Sequence, residues 1–280
     1  MFDWISNTTY WLFFSQAIIT LVVVPMIIRN NFIDFARRYG MTQYPNAKNA
    51  IEDYLLSNIR IFKIVAAGLF LLSFAIVSHA AVNQAELFSW DNQAGLSCLF
   101  FIAIIPVLVM AAIQKRFFSL LADYSDGKRV ATLKVRGVRD FISKPMILFI
   151  FSGQFLFIGS VFYFVNHPFD GFGGYLNLLG LAFLDSIFII TIYFTMNNKR
   201  LAMIKDPNQR FVGQQNAISV NVTIWIVALY YLCLTLWISG LDLLSYRIFM
   251  QSLYIHLMFL MVAFASKLPA SFYQGLEEKR

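Results

Sequence analysis

Apolar residues gather in seven blocks along this chain, and no block shows the two-residue alternation of a half-buried strand. The blocks cover residues 11–28, 64–82, 96–113, 145–165, 175–196, 220–238 and 248–265, each 18 to 22 residues long. A helix of about 20 residues, rising 1.5 Å per residue, crosses the roughly 30 Å of a bilayer's hydrocarbon core. An outer-membrane barrel would need strands of about ten residues with alternating polarity, whereas these blocks are apolar on every side. The pattern therefore predicts an all-α integral membrane protein with seven transmembrane helices, built as a single polytopic membrane domain over residues 1–280.

The polar segments between the blocks divide unequally, and charge assigns their sides. Cytoplasmic loops keep the lysines and arginines that resist translocation. Of 22 Lys and Arg, only Arg247 falls on the side of the amino terminus, together with Asp3, Glu86, Asp91, Asp170 and Asp242. The expected topology is amino terminus outside and carboxyl terminus cytoplasmic. Trp4, Trp11, Trp90 and Trp237 gather at the outer boundary, where indole rings favour the headgroup level. The opening MFDWISNTTYW contains Asp3 and no basic residue, so the first block is expected to remain as a crossing rather than be cleaved as a signal peptide.

After the first crossing the chain reads as three hairpins, roughly 60–116, 140–200 and 217–267, with an ancestral repeat as the minority reading. Two stretches on the basic side are amphipathic. In NNFIDFARRYG, residues Phe32, Ile33, Phe35 and Ala36 are placed to dip into the interface beneath Arg37 and Arg38. A second helix is expected from about Ala47 into the second crossing.

Composition sharpens the class. At 59% hydrophobic and 13% charged, with mean hydropathy +0.65, the chain excludes a soluble domain, a disulfide scaffold and a disordered tail. The net charge of +7 comes from the loops that set topology, so it points to anionic lipid on the cytoplasmic face and not to nucleic acid. The segment KRVATLKVRGVRDF concentrates Lys128, Arg129, Lys134, Arg136 and Arg139, a solvated loop or a contact for lipid or a cytoplasmic protein partner. The expected localisation is the plasma membrane, or the inner membrane of a bacterium.

The sharpest polar anomaly is Asp185, near the middle of its crossing in LAFLDSIFII, where an uncompensated charge costs about 2.5 kcal/mol or more. His256 lies at nearly the same depth in the last crossing and is the expected partner, with Ser252 one turn before it on the same face. Such a pair is either a structural contact or a proton relay. Gln154, Gln16 with Thr20, and Asn221 with Thr223 are supporting polar residues that read as helix glue. Two small-residue tracks, Ser152 with Gly159 and Gly153 with Ser160, predict close approach of a neighbouring helix, and Pro25 and Pro106 interrupt the first and third crossings.

Other chemistry is thinly represented. His79 and His167, near Glu86 and Asp170, form a weak zinc or pH-sensing alternative without the spacing of a metal motif. Cys98 and Cys233 read as buried free thiols. No Walker A, GxSxG or HExxH sequence occurs, and a retinal protein would need a mid-membrane lysine where only Lys267 lies near the seventh block. No cofactor and no catalytic residue are expected. The function this implies is a non-catalytic accessory, scaffold or sensor component, and the alternative is a small-solute or proton-linked transporter using the Asp185 and His256 pair.

Overall fold

Proline chemistry shapes the first helix of the computed structural model, which describes residues 8–83, 94–124, 137–197, 204, 206–243 and 246–277. Pro25 has no N–H to donate, and its ring crowds the carbonyl four residues earlier. The turn before it widens: α1 (Thr8–Ile18) passes through a π-helical turn (Ile19–Val23) into α2 (Val24–Phe35). A second π turn (Ala36–Gly40) leads to the short α3 (Met41–Gln43). Next come α4 (Lys48–Val82), α5 (Ala94–Asp123), α6 (Lys144–Asn166), α7 (Leu176–Met196), α8 (Pro207–Gly240), α9 (Arg247–Ala265) and α10 (Ala270–Glu277). Among the described residues the fold is all-helical, and seven helices are long and apolar enough to span a membrane.

Several helices outrun the apolar blocks that announce them. For α8 the signal is local: Asp206 accepts a hydrogen bond from the Asn208 N–H at 2.8 Å, and Pro207 occupies the first turn. The polar stretch after this cap stays helical because its residues find partners. Gln214, for instance, donates to the Met196 carbonyl at the end of α7, at 3.0 Å. The helix expected from about Ala47 is α4 itself, which begins at Lys48.

The chain divides into two compact units, residues 1–129 with 248–280, and residues 130–247. The third sequence hairpin is therefore shared out, α8 to one unit and α9 to the other. No shift in composition marks either boundary.

In the first unit α1 and α4 run antiparallel, with Tyr10 donating to the Ala80 carbonyl and the rings of Phe14 and Phe74 5.4 Å apart. Toward the other end, Phe117 is fully buried against Phe32 and Phe35, with Tyr54 and Phe118 beside it. Of the four residues expected to dip into an interface, Phe32 and Ala36 are buried against protein, while Ile33 and Phe35 are half-buried. Phe32, Ala36 and Tyr39 share a helical face, and all three are buried against protein. That face meets Phe117 of α5 and Phe272 of α10. Outside this core, Arg38 pairs with Asp34 at 2.7 Å and lies over the Tyr273 ring, and Arg37 pairs with Glu52.

In the second unit α6 and α8 form the tightest seam. Of the two small-residue tracks, Gly153 with Ser160 faces α8. A Cβ at Gly153 would stand 3.1 Å from that of Leu229, and Ser160 accepts from the Trp237 indole at 2.8 Å. At the end of α8, Gly240 is required because a Cβ there would overlap the ring of Phe164. The other track splits: Ser152 bonds the Tyr230 hydroxyl at 2.7 Å, and Gly159 meets nothing. The turn into α7 uses Gly171 and Gly174 at positive φ, a conformation that a side chain would strain.

Candidate functional site: an acid held between three helices

Asp185 is the tenth residue of the 21 in α7, half-buried, and the helices on either side of it supply its partners. The Gln154 amide on α6 donates to one carboxyl oxygen at 3.0 Å. The Trp225 indole on α8 donates to the other at 2.8 Å. Phe188, three residues further along the same face of α7, stacks on the Trp225 ring at 5.9 Å with only 8° between the planes. Stacking fixes the plane of the indole, and the fixed plane aims its N–H at Asp185. One acid thus ties α6, α7 and α8 together.

His256 falls in the other unit and has its own neighbours. Its Nδ1 lies 3.4 Å from Ser252 Oγ, the helical neighbour expected from the sequence, and the ring also faces the Ser15 backbone. The structure therefore brings Asp185 to Gln154, and His256 to Ser252. Trp225 was missed by sequence reasoning although a signal existed. A tryptophan in the middle of a block, away from the boundary belt, carries an indole N–H that burial obliges to find an acceptor.

The first unit holds a second polar feature. Gln16 is fully buried, yet neither atom of its amide has a hydrogen-bond partner, and the same is true of Ser73 Oγ and His256 Nε2. The contacts from Tyr10 to Ala80 and from Phe14 to Phe74 put Gln16 level with Ser73 across α1 and α4. Thr20, inside the π turn, is spent locally, its hydroxyl bonding the Gln16 carbonyl at 2.7 Å. An unpaired buried polar group costs about 1–3 kcal/mol, so each of these atoms works against the stability of a packed core.

The remaining sequence candidates scatter. Asn221 and Thr223 bond to carbonyls four residues back on their own helix and join nothing. His79 contacts Asn83, the residue that follows its own helix, and His167 stacks on Tyr163 in the other unit. Among the described residues no three His, Cys, Asp or Glu side chains converge on a metal position. Cys233 is a buried free thiol that donates to the Gly153 carbonyl. Arg139 sits exposed in a short turn (Val138–Asp140), while Lys128, Arg129, Lys134 and Arg136 lie outside the described residues.

Compared with protein-family models, curated proteins and solved structures, the chain matches none. Its class rests on its own architecture, that of an all-helical chain with seven helices suited to a multi-pass membrane protein.

Proposed function

We propose that the chain is a non-catalytic accessory, scaffold or sensor component of the plasma or bacterial inner membrane, amino terminus outside and carboxyl terminus cytoplasmic. The observation that carries this reading is the double engagement of Asp185. A relay acid must exchange its proton with a mobile donor, whereas both oxygens of Asp185 already receive fixed N–H groups from Gln154 and Trp225. Such an arrangement favours a joint between helices. The orientation is supported by the 21 Lys and Arg on one side of the crossings. A reporter active only outside is expected to work at residue 2, and one active only in the cytoplasm at residue 280. Signal from the same side at both ends would remove one crossing.

The alternative, a small-solute or proton-linked carrier, draws on the Gln16 amide, Ser73 Oγ and His256 Nε2, buried atoms without a hydrogen-bond partner. Polar groups within membrane helices often mark a solute or proton path. Protein reconstituted into liposomes with an internal pH dye separates the two. The scaffold reading expects proton flux no faster than in empty vesicles under an imposed pH gradient. Flux that Gln16→Leu or His256→Leu abolishes would overturn it in favour of the carrier.

A further inference from the structure

The widened turn before Pro25 has a consequence on the outer surface of the first unit. Beside it, between the Ile19–Val23 turn with α2 and the facing stretch of α4, lies an open groove of about 400 Å³. Leu21, Val22, Pro25, Phe62, Ala66 and Phe70 line it, and small Ala66 on α4 leaves the depth that a larger side chain would fill. Only two charged residues line it, Arg29 and Lys63. Because α2 and α4 run in opposite directions, these two cations stand at the same end. From Arg29 back to Leu21 is eight helical residues, or about 12 Å, most of the depth of one leaflet.

The two charges are unusually placed. Arg29 bonds the neutral Asn30 Oδ1 through Nε and Nη2, which holds the guanidinium fork while leaving N–H groups to donate. Among the described residues no carboxylate pairs with Arg29 or Lys63, in contrast to Arg37 and Arg38, which pair with Glu52 and Asp34. By sequence both flank crossings, Arg29 just after the first and Lys63 just before the second, which is the headgroup level of the basic side.

We propose that this groove binds an anionic phospholipid, one acyl chain lying along Leu21 to Phe70 and the headgroup phosphate held by Arg29 and Lys63. The proposal rests on the membrane reading above. A free anion would have no use for the apolar floor, and a zwitterionic lipid brings a cation of its own that leaves both charges of Arg29 and Lys63 uncompensated, whereas a singly anionic lipid offsets one of them. Each juxtamembrane cation favours anionic lipid by about fivefold.

The test is native mass spectrometry of protein released from nanodiscs containing equal phosphatidylglycerol and phosphatidylcholine. Wild type is expected to retain phosphatidylglycerol preferentially, and Arg29→Gln with Lys63→Gln to reduce that preference about tenfold or more. A control removing the same charge from exposed positions elsewhere, Lys48→Gln with Lys144→Gln, should leave the preference intact. Ala66→Trp, which fills the groove with both cations kept, should also lower retention. An unchanged preference in the Arg29 and Lys63 variant, or an equal fall in the control, overturns the proposal while leaving the membrane reading standing. Failure of the wild-type protein to enter nanodiscs would instead overturn the membrane reading, and the proposal with it.

Discussion

Asp185→Leu is expected to destabilise the protein by about 1–3 kcal/mol, because it strips the acceptors from the buried Trp225 indole and the half-buried Gln154 amide at once. The Trp225 indole is held in place by Phe188 and cannot swing away to find another acceptor. Asp185→Asn should be tolerated, to within about 0.6 kcal/mol. The asparagine oxygen can accept from Trp225, and its NH2 can donate to Gln154 once that amide turns over, since a glutamine offers an acceptor at one end and donors at the other. The contrast between Leu and Asn is sharper evidence than either value alone. Adding Trp225→Phe and Gln154→Leu to Asp185→Leu should recover much of the loss, because removing donors and acceptor together leaves nothing unsatisfied. The measurement is a denaturation series in detergent or bicelles, analysed as a double-mutant cycle. Strictly additive losses would mean that the three side chains do not act as one joint.

The larger effect is expected at Phe117→Ala, about 3–5 kcal/mol, the cost of emptying a ring-sized space in a packed core. Phe117 is fully buried, with the rings of Phe32, Phe35, Tyr54 and Phe118 around it at 5.4 to 6.3 Å between centroids. Collapse of the surroundings offers little relief. The neighbours come from α2, α4 and α5, and Gly40 approaches so closely that a Cβ there would lie 3.1 Å from both Phe117 and Ile51. Phe183→Ala, on a ring left 70% exposed, is the matched control and should cost little. Equal losses at the two positions in the same denaturation series would show that the aromatic cluster is not a core.

Both predictions concern contacts between helices, where the sequence is least legible. The seven apolar blocks could be read directly, because each crossing satisfies its backbone hydrogen bonds within itself and must be apolar along its length. The small-residue track of Gly153 and Ser160 was legible for a similar reason, since lacking bulk is a property of the residue itself. Asp185 stood out as an acid in an apolar block, and Gln154 could be named as a polar residue in a neighbouring crossing. The start of α8 was written in Asp206 and Pro207, but the polar residues after that cap look like a loop until the carbonyl of Met196 is seen to accept from Gln214.

What only the tertiary structure decided is which faces meet. Depth along a crossing can be read from sequence position, yet rotation about the helix axis cannot, because an apolar block has no polar face to mark its inward side. Depth alone made His256 the expected partner of Asp185. The packing of α6 and α8 against α7 instead presents Gln154 and Trp225, and it assigns α9 with His256 to a different unit. The same applies to residues 30–40, whose apolar stripe was plain while its covering was not. That covering comes from α5 and α10, residues distant in the chain that only folding brings alongside.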